Sequence, residues 1–134
     1  VSDIRLPLLR TERQSGERIV VVSEEGKSCH TRTRLLSEGK RYSLVEAEPV
    51  TGRTHQIRVH CLAQGAVIAG DEKYSDRTEK QQDKDEGIRR LCLHAWRLSF
   101  RHPISGERLS IEAKPDGELK SIFRKVGCNL EGVS

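Results

Sequence analysis

The chain has 134 residues, 34% hydrophobic and 33% charged, with four cysteines and few aromatics. That length suits one domain with a modest core; recurring apolar clusters exclude global disorder, and no apolar run approaches a membrane span. Lys and Arg outnumber Asp and Glu by 24 to 20, for a formal charge of +4, a bias that fits a polyanion partner as readily as an ordinary basic surface.

In chain order, "IRLPLL" (Ile4 to Leu9) alternates apolar residues around Pro7 and predicts a short edge strand. "RIVVVS" (Arg18 to Ser23), "CHTRTRLL" (Cys29 to Leu36) and "RYSLVEAEPV" (Arg41 to Val50) are strand-like and separated by the turns "EEGK" and "SEGK", so an antiparallel meander is expected. "THQIRVHCLAQ" (Thr54 to Gln64) predicts a helix, with Thr54 as its cap and Gly65 as its stop. "DEKYSDRTEKQQDKDEG" (Asp71 to Gly87) is highly charged with no apolar period and is expected to be an exposed, mobile loop. "RLCLHAWRLSF" (Arg90 to Phe100) alternates and predicts a central strand, with "RLSIEAK" (Arg108 to Lys114) pairing back as a hairpin. After Pro115, a last helix over about Asp116 to Val126 places Leu119, Ile122, Phe123 and Val126 on one face. The fold class that follows is α+β, a mixed and mostly antiparallel sheet with flanking helices, without an internal domain boundary.

The chemistry concentrates in "PVTGRTHQIRVH" (Pro49 to His60). A turn at Thr51 and Gly52 delivers Arg53 to the helix mouth, where unpaired backbone N–H groups and a guanidinium can share a phosphate. His55 and Arg58 lie one helical turn apart on one face. An arginine turned inward there needs a carboxylate; the competing reading is a solvated arginine bridging surface acids. His55 and His60 are five apart, which splits them across a helix and misses the zinc-binding i, i+4 spacing. The cysteines Cys29, Cys61, Cys92 and Cys128 form no CxxC pair and no secreted disulfide framework, so no metal is expected and a reducing cytoplasm fits best. No GxSxG, Walker loop or GxGxxG appears, and no cofactor is expected. His94 reads first as a buried, hydrogen-bonded histidine and Asp71 first as a turn former.

"PVTGRTHQIRVHCLAQGAVIAGDEKYSD" (Pro49 to Asp76), followed by "RLCLHAWRLSFRHPISGE" (Arg90 to Glu107), resembles the RluA-type family of pseudouridine synthases, and within it the large-subunit rRNA enzymes of the RluC kind. "PLLRTERQSGERIVVVSEEGKSCHTRTRL" (Pro7 to Leu35) also resembles their middle segment, so the similarity runs from about Leu6 to Val126. The resemblance implies an enzyme that flips a uridine out of folded RNA, detaches the base, rotates it and rejoins it through carbon. It implies an aspartate nucleophile in an "HRLD"-type motif, a stacking tyrosine in a "KxYxA"-type segment, and an arginine in "HQIR", here Arg58, paired with the nucleophile. Tyr74 matches a loop position of the family, not the stacking tyrosine.

Neither "HRLD" nor "KxYxA" occurs in these 134 residues. Both lie upstream in the family, and the chain, which begins at Val1 without methionine, is expected to be the C-terminal part of a catalytic domain. The expected RNA contacts are Arg53, His55, Gln56, Lys73 and Arg77, the partner is large-subunit ribosomal RNA, and neither a membrane nor a metal enters. The alternatives are a non-catalytic RNA-binding module derived from the same fold, or an interaction domain with a chance signature; two separated motifs matching in order weigh against the last.

Overall fold

The computed structural model describes residues 2–101, 104–105, 108–112 and 115–128; for 97–101 and 108–112 it describes the backbone. Seven strands and three helices follow in the order β1 (Ser2–Ile4), β2 (Leu8–Glu12), β3 (Arg18–Val22), β4 (Thr31–Glu38), β5 (Ser43–Pro49), α1 (Gln56–Ala63), α2 (Arg77–Asp85), β6 (Arg97–Arg101), β7 (Arg108–Glu112) and α3 (Gly117–Lys125). The class is α+β, and every strand pair among the described residues is antiparallel.

The β-branched and apolar runs form strands where the alternation places them, but the pairing is not a simple meander. Pro7 lacks an N–H and divides the expected first strand in two. The piece before it joins the sheet β1-β4-β5, and the piece after it pairs with β3 as a separate hairpin. The third sheet is the β6–β7 hairpin. Its register runs from Arg97 opposite Glu112 to Arg101 opposite Arg108, as expected for the second half of "RLCLHAWRLSF". Residues 91–96 are not strand, and His94 there is half-buried. His102, Pro103, Gly106 and Glu107 between the two strands, and Ala113 and Lys114 at the end of the expected hairpin, lie outside the described residues.

The core sits where β2, β3 and α1 meet. Leu8, Val20, Cys29, Val59 and Tyr74 form one buried cluster, with Ile19 and Val67 packed against it. Helix α1 starts two residues later than expected. Thr54 does not cap it: the residue before the helix is His55, in the left-handed region at φ 53°, and no side chain caps the end. At the other end Gly65 turns left-handed at φ 77°, as the sequence indicates. In α3, Asp116 caps through Leu119 N–H, and Leu119 and Ile122 are buried. No helix among the described residues is long and apolar enough to cross a membrane.

The expectation for residues 71–87 is overturned. The segment is not a mobile loop; it folds into a tight turn followed by α2. Asp76 opens the helix with a reciprocal cap, accepting from Glu79 N–H at 2.8 Å while the Glu79 carboxylate accepts from Asp76 N–H at 2.7 Å. No apolar stripe holds α2 down. A single inward carboxylate does: Asp83 is buried, accepts from Tyr42 O–H at 2.8 Å and from Gly70 N–H at 2.9 Å. Burial and then the adjacent Asp83 hold the Tyr42 phenol above its ordinary pKa, so it stays a donor. Asp83→Ala leaves two donors unmatched, at about 1–3 kcal/mol each. It should lower the midpoint of thermal unfolding clearly, whereas Asp85→Ala, exposed on the same helix, should stay within about 0.5 kcal/mol of the parent. Equal effects in calorimetry would mean Asp83 does not anchor α2.

Candidate active site

The signature helix buries a polar face. Gln56, Val59 and His60 are its buried residues, and two of them are bonded to the sheet. The His60 ring is fully enclosed; Nε2 donates to Leu6 C=O at 2.8 Å, since a carbonyl can only accept, and Nδ1 takes the Thr31 hydroxyl hydrogen at 2.7 Å. Thr31 in turn accepts from the Gln56 amide at 2.9 Å. That amide also donates to His30 C=O at 2.8 Å, while its oxygen accepts from Thr51 O–H at 2.7 Å and Arg53 N–H at 3.0 Å. All four hydrogen-bonding positions of Gln56 are therefore spent inside the protein.

On the opposite flank of α1, Arg58 meets Asp71. Its Nε donates to Asp71 Oδ2 at 2.9 Å and one terminal nitrogen to Oδ1 at 2.7 Å, the two-point fork that a guanidinium presents to a carboxylate. The Asp71 side chain is wholly buried and that of Arg58 is 18% exposed. Lys73 and Tyr74 N–H groups donate to the same Asp71 Oδ1 at 3.1 and 3.2 Å. Burial by itself pushes the Asp71 carboxyl up. The Arg58 hydrogen bonds, the Tyr74 N–H and the Arg58 charge outweigh it and hold the group below its ordinary 3.8.

The turn bearing Asp71 is shaped to deliver it. Gly70 has φ 78°, and a Cβ there would collide with the Arg90 carbonyl, so only glycine fits. Tyr74 closes the other side. Its ring lies beneath Arg58, with the guanidinium carbon 5.2 Å from the centroid, and His55 packs edge-on at 5.6 Å. The Tyr74 hydroxyl accepts from Val20 N–H at 3.1 Å and is hydrogen-bonded to His55 Nδ1 at 2.8 Å. Burial first, then the charges of Arg58 and Lys73, lower the His55 pKa, so the ring is neutral at pH 7.

Of the residues singled out from sequence, the structure brings His55, Arg58 and Lys73 together around Asp71 and Tyr74. Arg53 is exposed on the preceding turn, with Nε 3.4 Å from Ser28 C=O, and Arg77 is exposed on the first turn of α2. Lys73 is paired with Glu17 at 3.0 Å. Gln56 does not join them: it is buried and saturated, a role the sequence does not reveal because the partners of its amide nitrogen, His30 and Thr31, are 26 and 25 residues away. Sequence reasoning also missed Asp71 as the acid that Arg58 faces, although "an inward arginine needs a carboxylate" was the available signal, and it missed Asp83 and the structural role of Tyr74.

Asp71 is poorly suited to attack a substrate. It is enclosed, accepts four hydrogen bonds and is held ionised by a fixed cation, which lowers its nucleophilicity. Its geometry is that of an orienting group. Arg58 has five N–H donors; two go to Asp71, and among the described residues no other acceptor takes the remaining three.

Comparison with known proteins gives a consistent result. A family profile described as RNA pseudouridylate synthase matches residues 3–63. The chain is 50% identical over 117 residues to a ribosomal large subunit pseudouridine synthase C from Yersinia pestis, covering 87% of this chain and 37% of that protein. It is 49% identical over 120 residues to the protein of the same name from Pasteurella multocida, covering 90% and 37%. Among solved structures, human RNA pseudouridylate synthase domain containing 1 superposes with a TM-score of 0.72 at 28% identity, covering 92% of this chain and 51% of that one. The chain thus spans less than two fifths of the length of these two curated relatives.

Asp71→Asn keeps the shape of the turn and removes the charge. Because Arg58 can still reach water, the cost should fall at the lower end for a broken buried pair, about 3 kcal/mol at pH 7. The lowered carboxyl pKa fixes the sign of the pH effect: its stabilisation is complete above the unfolded-state value, about 3.9, and fades as pH falls through the folded-state value. Urea unfolding of the parent should therefore weaken steeply below about pH 4, and Asp71→Asn should lack that part of the decline. Parallel pH profiles for the two proteins would contradict the assignment.

Proposed function

We propose that the chain, which matches the RNA pseudouridylate synthase profile over residues 3–63 and is 50% identical to a ribosomal large subunit pseudouridine synthase C, is the C-terminal part of the catalytic domain of an enzyme that isomerises uridine to pseudouridine in large-subunit ribosomal RNA, acting in the cytoplasm. The observation that carries this reading is the Arg58–Asp71 fork. Asp71 grips Arg58 along one edge and fixes the plane of the guanidinium, leaving the other N–H groups open to a second acceptor. In the complete enzyme that acceptor is the nucleophilic aspartate of the upstream segment. Arg58 holds its carboxylate ionised and oriented toward the sugar, and Asp71 keeps Arg58 from turning away. This is positioning and charge stabilisation, prepared before the substrate arrives.

Arg53, Lys73 and Arg77 supply phosphate contacts around this site, and His55 a neutral ring at its edge. No cofactor or metal takes part in this scheme. One observation favours the binding-module alternative for the isolated chain: Asp71 already compensates the charge of Arg58, so the site is electrostatically complete without a nucleophile.

Tritium release from uridine-labelled ribosomal RNA tests the proposal. In the intact enzyme, Arg58→Ala should abolish most turnover, and Arg58→Lys should restore part of it, because lysine keeps the charge but loses the planar fork. The 134-residue chain alone should release none and should regain activity when the upstream half is supplied. Parental turnover by Arg58→Ala, or turnover by the purified chain alone, would overturn it.

A further inference from the structure

A cleft of about 350 Å³ opens between the β2–β3 hairpin and the start of α1, lined among others by Arg10, Glu12, Arg18, Thr54, His55 and Lys73. Its origin is visible in the hairpin register. Leu8 pairs with Val22, Arg10 with Val20, and Glu12 with Arg18, so these residues share one face of the hairpin. Near the core that face is apolar, with Leu8 and Val20 buried. Beyond the core the same face turns charged, and it is there that the cleft opens. Packing gives no reason for two arginines on the core-facing side.

The charges are not cancelled internally. Lys73 is tied to Glu17, and Glu17 also to Arg13, but among the described residues neither Arg10 nor Arg18 is in an ion pair. Glu12, directly across from Arg18, is the one carboxylate in the lining. Arg10 and Arg18 are diagonal neighbours on adjacent strands, with roots about 7–8 Å apart, which suits successive phosphates of a strand rather than one small anion. On the far wall, His55 is held through Nδ1 by the Tyr74 hydroxyl at 2.8 Å, which leaves Nε2 as its second hydrogen-bonding position. The wall is continuous with the site, since Tyr74 touches both His55 and Arg58.

We propose that this cleft holds the sugar–phosphate backbone of the RNA strand beside the target nucleotide, with Arg10 and Arg18 as its charge contacts and Thr54 and His55 as neutral hydrogen-bonding partners. The assignment rests on the RNA reading given above and adds the β2–β3 hairpin to the substrate-binding surface. Contacts of this kind position the strand and carry no base information.

The test is fluorescence anisotropy of the 134-residue chain with a short, labelled, uridine-containing RNA hairpin across a range of salt concentrations. Each phosphate contact contributes a slope of about 0.7–0.9 in log K against log salt. Arg10→Ala with Arg18→Ala should reduce the slope by about 1.4–1.8 and weaken binding at 0.1 M salt by roughly 25- to 60-fold. Glu12→Gln should tighten binding by about fivefold, an effect that loss of folding would not produce. Arg34→Ala, outside the cleft, should leave the slope unchanged. If the parent chain binds and the double variant binds equally well with the same slope, the cleft assignment is wrong and the RNA reading stands. If the parent chain binds no RNA, both fall.

Discussion

A carboxylate with no exposed surface has to be compensated where it lies, and Asp71 is compensated by Arg58. An isolated buried charge would be too costly to retain, so the surrounding chain is organised to bring the two together. Gly70 supplies the backbone conformation that places Asp71 under α1. The N–H groups of Lys73 and Tyr74 fold back onto the same oxygen. Asp83 ties α2 to Gly70 and so fixes the turn from behind. Tyr74 fills the space beneath the guanidinium and hands its hydroxyl to Val20 and His55. The apolar core is small, and these polar bonds are what give it one arrangement.

The polarity of "TGRTHQIRVH" has two explanations that the structure separates by residue. Gln56 and His60 are interior joints: they tie α1 to Thr31, His30 and Leu6 through bonds with specified donors and acceptors. A buried network of this kind is satisfied in one register of helix on sheet and in no other. The side chains of Arg53, His55 and Arg58 take no part in that network. About half of the signature therefore specifies the fold, and that half holds the other half in place.

Legibility in the sequence follows the same physics. The runs "RIVVVS" and "LVEAEPV" announce strands because β-branched alternation is a local signal, and the "RLSIE" hairpin follows from its turn. Local signals do not say which strand pairs with which, and Pro7 moved one piece of an apparent strand into a different sheet. Helix α2 was hidden because its buried residue is Asp83 rather than a hydrophobic stripe. The pattern Asp76 to Glu79 at capping-box spacing was the clue, outweighed by the charge density around it. In the site, Arg58 and His55 could be found because they are three apart in the signature, although His55 stands just before α1 rather than within it. Asp71 as the partner of Arg58 could not, since thirteen residues and two left-handed glycines separate the two. The family resemblance assigned Arg58 to a carboxylate outside this chain; the structure adds one within it.

These two roles are compatible if Asp71 orients Arg58 and leaves its remaining donors available, which makes the coupling between the two residues the central quantity. A double-mutant cycle with Arg58→Ala, Asp71→Ala and the combined variant, read by urea unfolding at pH 7, measures it directly. If the pair orders the site as described, each single change costs about 3–5 kcal/mol by stranding a charge, and the double variant costs no more than the worse single. Additive losses, with an interaction energy within about 0.5 kcal/mol of zero, would show that the fork does not hold Arg58 and would contradict the account.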